Sequence, residues 1–212
     1  LLHILNLDYS KVGLQSSELK KGVLSFKTSY SRGHCGRFIV ERTIKERPNE
    51  VETHETFGRW ELDTMVSSQE QSKGCLVTFV ERKTRLYGAL PMEARTKKSM
   101  FNTISSLHKT LTNKLIKIIT SNRGKECSYY PKVKKDVELP VYFADAYAAW
   151  HRGSNENSNG LLHACFLKET ELAKVTLDEL IEALMLISNR PRKCLDLKII
   201  FDIFKHQIRK LI

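Results

Sequence analysis

Nowhere in the 212 residues do apolar side chains run together for the roughly 18 positions that a membrane-spanning helix needs. The opening LLHILNLDYSK has neither the basic start nor the small-residue cleavage pattern of a signal peptide. Both absences argue against a membrane or secreted protein and for a cytoplasmic one. No CxxC pair occurs among the five cysteines, Cys35, Cys75, Cys127, Cys165 and Cys194, which are odd in number and widely scattered. A disulfide framework and a four-thiolate zinc site are therefore not expected, and reduced, mostly buried thiols are. Internal repeats and low-complexity tracts are lacking too. The chain opens on Leu1 rather than Met, which fits a fragment of something longer.

What is present is a globular composition, 41% hydrophobic, enough for one sizeable core and an appendage. Acids are the scarce class: 24 Asp and Glu face 35 Lys and Arg, a formal charge of +11. Most of that excess lies in one stretch. Between Glu93 and Lys135 eleven bases stand against two acids. A field of this kind suits a polyanion, because each base that neutralises a phosphate releases condensed counterions; a solvated basic surface explains the charge alone equally well.

The pattern of residues predicts three parts: a leader over 1–56, a core over 57–205 and a tail over 206–212. The leader, rich in Ser, Lys, Arg and Glu, reads as a short helix and then loosely packed, extended chain. GRWELDTMVS, CLVTFVE and TRLYGALPM read as three strands with short polar links, hence an antiparallel meander. Met100, Phe101, Ile104, Leu107, Leu111 and Leu115 recur at helical spacing after a Thr96 cap, which predicts a helix over 96–114. LIKIITS (115–121) follows as a buried strand, and a right-handed crossover places it parallel within the sheet. LPVYFAD (139–145) reads as a fifth strand. Ser154 is expected to cap the next helix. Thr176 and Glu179 form a capping box, stapled by Val175 and Leu180, for a helix that ends before Pro191.

Three polar residues stand where the pattern is otherwise structural. Asp63 lies inside a strand, where a carboxylate is costly unless paired or holding a metal. Asn122 ends the fourth strand, and Glu156 falls in the first turn of the helix from Ser154. If the first and fourth strands are adjacent and parallel, Asp63 and Asn122 lie side by side and the helix brings Glu156 across from them. Singly, Asp63 reads as a hydrogen-bonded strand-end acid and Glu156 as a favourable charge on a helix dipole. Trp60 reads as a core aromatic. His151, His163 and Cys165 lack a fourth ligand for zinc.

Together GRWELDTMV, KGCLVTFVERKTRLYGALP, ITSNRGKE, VYFADAYAAWHRGSNENSNGLL and NRPRKCL resemble the transposases of the bacterial IS30 insertion-sequence family over most of residues 40–205. WHRGSNENSNGLL is the most specific run. The resemblance implies an α/β, RNase H-like integrase core, a mixed five-stranded sheet flanked by helices. It further implies an Asp, Asp, Glu triad holding two Mg²⁺ (or Mn²⁺), and DNA cleavage and strand transfer. The implied partners are element ends and target DNA and a second copy of the chain, in the bacterial cytoplasm at the nucleoid. By motif position Asp63 is the first acid and Glu156 the last, while Asn122 takes the middle place, where the family typically reads SDRGKE. Asp63, Asn122 and Glu156 are thus the expected catalytic and metal positions; Arg123, Lys125, Arg152, Asn155 and Asn159 are the expected DNA contacts. Glu126 and Asp145, which also belong to the family pattern, are not expected to replace the middle acid.

Two further departures stand beside Asn122. The first 56 residues show no two-helix recognition pattern, and LLHACFLKE and LDLKIIFDIF differ from the commoner family wording. The expectation is a truncated, drifting copy with impaired chemistry. A catalytically silent DNA-binding remnant is the alternative of a different class, and a nuclease acting on RNA hybrids the third.

Overall fold

The computed structural model describes residues 42–66, 75–122, 124, 128, 130–144, 153–166, 171–172 and 174–211. Strands β1 (Arg59–Val66), β2 (Cys75–Glu81) and β3 (Tyr87–Met92) form the expected antiparallel meander. Helix α1 (Lys97–Leu115) then carries the chain to β4 (Ile118–Ser121), which pairs parallel with β1. Helix α2 (Tyr130–Val137) leads to β5 (Val141–Phe143), parallel to β4. The sheet order is β3-β2-β1-β4-β5. Helices α3 (Gly153–Cys165) and α4 (Leu177–Ser188), a hairpin of β6 (Pro191–Arg192) and β7 (Lys198–Ile199), and α5 (Ile200–Arg209) complete the described chain.

Alternation along β1 divides the sheet chemically. Trp60 and Leu62 point to a dry face, where Met100, Ile104, Leu107 and Leu111 of α1 complete the core. The Trp60 indole N–H donates to the Leu115 carbonyl at 2.9 Å, and Phe204 of α5 packs edge-on against its ring at 6.5 Å. Trp60 is thus a core aromatic with its one polar atom satisfied. Glu61 and Asp63 point the other way, beside Thr120 and Thr78, their partners on β4 and β2. That polar face receives α3.

Local signals set several boundaries. The Thr96 hydroxyl accepts from the Ser99 N–H at 3.2 Å, the capping contact expected at the start of α1. The Thr176 and Glu179 capping box is formed in both directions. Gly58 enters β1 at φ +90, where a Cβ would come within 3.1 Å of the Lys117 side chain, so glycine suits this junction on both counts.

The structure corrects several expectations. Residues 42–56 are not a loosely packed leader. Val51 is buried with Ile118 and Tyr142, the Arg47 guanidinium donates to Thr120 Oγ1 at 3.2 Å, and Thr43 bridges to Phe143. This segment covers the part of the polar face beyond α3, held by the buried Val51 together with the Arg47 and Thr43 contacts. Residues 206–209 belong to α5 and not to a tail. The third strand begins at Tyr87, because Thr84 turns back to cap the Glu81 carboxylate through its N–H and hydroxyl, each at 2.7 Å. Leu115 closes α1 and does not open β4. Ser154 sits inside the first turn of α3, and its hydroxyl accepts from Arg85, so it is no cap.

Candidate functional site

Asp63 and Asn122 meet as the parallel register requires. Glu61 lies opposite Thr120, so two residues further along Asp63 comes level with Asn122. The Asn122 amide Nδ2 donates to Asp63 Oδ1 at 2.9 Å, while Asn122 Oδ1 accepts from the Gly124 N–H at 3.0 Å. Only this orientation of the amide satisfies both neighbours, since the reverse would set its oxygen against a carboxylate. Asp63 Oδ1 also accepts from the Thr64 N–H at 2.9 Å.

Helix α3 closes the third side. Asn159 Nδ2 reaches Asp63 Oδ2 at 3.5 Å, and Asn159 Oδ1 accepts from the Tyr87 hydroxyl at 2.9 Å. Burial pushes the Tyr87 phenol well above its ordinary range, so it remains a protonated donor. Glu156 is exposed, three residues before Asn159 and hence one turn of helix away. Asn155 is fully buried. Its Nδ2 donates to the Glu61 carbonyl at 3.2 Å and its Oδ1 accepts from Thr78 Oγ1 at 3.1 Å. The expectation of a DNA contact at Asn155 is therefore corrected: its amide is spent fastening α3 to β1 and β2. Arg123, Lys125, Arg152, Glu126 and Asp145 lie outside the described residues.

Sequence reasoning missed Glu61, the group that orients this helix. It is fully buried; one oxygen pairs with the Arg82 guanidinium and the other accepts the Asn155 N–H at 3.0 Å. A carboxylate on N–H groups in the first turn of a helix is stabilised by the helix dipole as well as by the bond. The signal was available in W-E-L-D, where acids two apart must share a face.

A hard divalent cation calls for anionic oxygens. Asp63 presents one carboxylate, and beside it Asn122 presents an amide whose N–H faces Asp63. That pair lacks the second carboxylate that would help hold two cations. Among the described residues, no three of His, Cys, Asp and Glu gather into a group able to hold a metal. His163 and Cys165 form no such group either.

Much of the basic stretch covers the opposite side of the sheet. Lys97, Lys98, Lys109 and Lys114 of α1 and Lys132, Lys134 and Lys135 of α2 are all exposed. Lys132 Nζ lies 4.8 Å from the Phe101 ring centroid, tying the two helices together.

His54 has a pH consequence. Burial, helped by the Arg82 and Arg85 charges, lowers its pKa from an ordinary 6.5 to about 4. The unfolded chain therefore binds this proton over the window from about 6.5 to about 4 while the folded chain does not, so stability falls with acidification through that window. We expect His54→Gln, which keeps an acceptor for Arg82 but does not titrate, to show a smaller loss of melting temperature between those pH values. Identical pH profiles for the two proteins would contradict this assignment.

The chain has relatives among known proteins, and its fold has neighbours among solved structures. The chain is 32% identical over 199 residues to the transposase InsI for insertion sequence element IS30C of Escherichia coli K12, covering 93% of this chain and 49% of that protein. It is 33% identical over 171 residues to a probable transposase for the element IS1161 of Streptococcus salivarius, covering 79% and 46% respectively. The chain thus spans about half the length of the curated relatives it matches. Among solved structures, the catalytic core domain of BIV integrase superposes with a TM-score of 0.56 at 16% identity, covering 73% of this chain and 98% of that one. The HTLV-2 integrase catalytic core, solved in complex with magnesium, gives a TM-score of 0.50 at 14% identity, covering 68% and 94%. No family model matches the chain.

Proposed function

Since the chain is homologous to the IS30-family transposases and has the fold of an integrase catalytic core, we propose that it is the core portion of a DDE-type transposase. It acts on DNA, and its phosphodiester chemistry is impaired by Asn122. The observation that carries this reading is the 2.9 Å hydrogen bond from Asn122 Nδ2 to Asp63 Oδ1. At the place of a second acid beside the first, a neutral amide donates to it.

Asp63 and Glu156 would hold a divalent cation, which when bound supplies Lewis-acid polarisation of a scissile phosphate and activation of the attacking oxygen. The chain's own residues supply position. Asn159 and Asn122 orient the two oxygens of Asp63, Asn155 and Glu61 fix the helix that carries Glu156, and the lysines of α1 and α2 favour a polyanion. Arg123, Lys125 and Arg152 are proposed to contact the DNA backbone, and Asn159 to face it as well as Asp63. The proposal extends to a homo-oligomer and to action in the bacterial cytoplasm. Of structural relevance to location, no helix among the described residues is long and apolar enough to cross a membrane.

Titration calorimetry with Mg²⁺ and Mn²⁺, run beside fluorescence anisotropy with a duplex oligonucleotide, tests the reading. We expect weak binding of one cation and DNA binding that falls steeply with salt. Tight binding of two cations would refute the impairment, and failure to bind DNA would refute the function. An RNA–DNA hybrid cleaved in place of DNA would favour the nuclease alternative.

A further inference from the structure

On the flank of α3 away from Asp63, a cleft of about 310 Å³ opens between the N-terminal turn of that helix, the β2–β3 turn and the β6 hairpin. Ser154 and Asn157 line it, whereas at 3.6 residues per turn Glu156 and Asn159 lie on the opposite flank. Its walls are cationic. Arg82, Arg85 and Arg192 all border it, and Glu61, the carboxylate among them, is already engaged by Arg82 and the Asn155 N–H. Among the described residues, neither Arg85 nor Arg192 is paired with a carboxylate.

Hydrogen-bond capacity is unbalanced in the same sense. His54 Nε2 lies 3.1 Å from Arg82 Nη2 and, with its imidazole neutral, accepts from it, which leaves Nδ1 as a donor. Among the described residues, the Nε of Arg192 is buried without a partner. Burial lowers the pKa of Arg192, and the charges of Arg190 and Arg85 lower it further. Helix α3, thirteen residues long, adds the positive end of its dipole at Gly153, where a Cβ would meet nothing within 4 Å. Surplus donors, surplus positive charge and a helix start converge on one cavity with the volume of a small ligand pocket.

We propose that this cleft is a nucleotide-sized site for a backbone phosphate of DNA, separate from the Asp63 corner and gripping the strand on the other side of α3. The assignment rests on the DNA-binding reading above. Arg85 and Arg192 supply the charge to the phosphate oxygens, and the first turn of α3 supplies N–H groups.

The test uses thymidine 3′,5′-bisphosphate as probe, with inorganic phosphate for comparison, and a labelled duplex for affinity. Wild type is compared with Arg192→Gln, with Asn157→Asp, which sets a carboxylate into the cleft, and with Lys210→Gln, an exposed base just after α5, as control. Thermal melts show that each variant folds. The bisphosphate is expected to raise the melting temperature of wild type and of the Lys210 variant but not of the two cleft variants. DNA affinity should fall roughly tenfold in each cleft variant at about 0.1 M salt, and the salt slope of Arg192→Gln should drop by about one. Cleft variants that respond to the bisphosphate as wild type does overturn the proposal, as does inorganic phosphate acting as strongly as the bisphosphate. A wild type that binds the bisphosphate but no duplex refutes the DNA reading, and with it a DNA occupant.

Discussion

Replacing Asn122 by Asp is expected to raise the metal-dependent DNA cleavage rate of this chain by roughly three decades. A unit charge about 4 Å from a cation, at an effective dielectric near 20, is worth about 4 kcal/mol. If that interaction falls wholly on the transition state, about three powers of ten in rate follow. The same substitution acts on the metal-free protein in the opposite direction. The amide donates to Asp63 Oδ1 at 2.9 Å, and a carboxylate in its place turns an attraction into a repulsion between like charges. Asn122→Asp should therefore melt below wild type in chelator and recover with Mg²⁺, by about 2.7 kcal/mol once the cation exceeds its dissociation constant roughly a hundredfold. Single-turnover cleavage in Mg²⁺ and in Mn²⁺, with melts in chelator and in Mg²⁺, reads both effects. Wild-type cleavage as fast as that of the variant would dispose of the argument, even if the melting temperatures moved as described.

Much of the sheet was legible because its strands are chemically lopsided. CLVTFVE is apolar except for Thr78 and Glu81 and is buried at every position in β2, and W-E-L-D alternates because β1 faces a core on one side and α3 on the other. Three elements escaped for separate reasons. Helix α2 has eight residues, and only Tyr130, Val133 and Val137 are buried among lysines, so its period is carried by three residues. Helix α5 begins within LDLKIIFDIF, where only Ile200, Phe201 and Phe204 are buried, so its helical period rests on three residues within a run of apolar ones. Residues 42–56 look polar because their task is to pair arginines with a polar sheet face: Arg47 with Thr120, and Arg42 over the Tyr142 ring at 5.8 Å. In the site, the pairing of Asp63 with Asn122 could be anticipated from strand order. That Glu61 shares the face of Asp63 was legible too, but its role and that of Asn155 were not, because burying a carboxylate makes sense only once Arg82 and a helix terminus are known to face it.

That buried pair carries the largest stability effect expected in the molecule. Glu61→Ala leaves the Arg82 guanidinium buried with its charge uncompensated, and it removes the acceptor of the Asn155 N–H at 3.0 Å. Breaking a buried pair from one side costs about 3 to 5 kcal/mol, a large part of the roughly 5 to 15 kcal/mol that holds a domain together. Burial already lowers the pKa of Arg82, with Glu61 as the main opposing influence, so the charge left behind has little else to balance it. The double variant Glu61→Leu, Arg82→Met removes both charges at similar volume and should recover most of the loss. Urea denaturation provides the measure, through a midpoint that falls at constant slope for the single variant and returns for the double. The functional consequence differs between them, because neither restores a carboxylate for the first turn of α3. Asn155 then holds the helix through its side chain alone, and the contact of Asn159 with Asp63 should loosen in both. A single variant that loses less than about 1 kcal/mol would mean that Arg82 is solvated well enough to need no partner, against its burial in this fold.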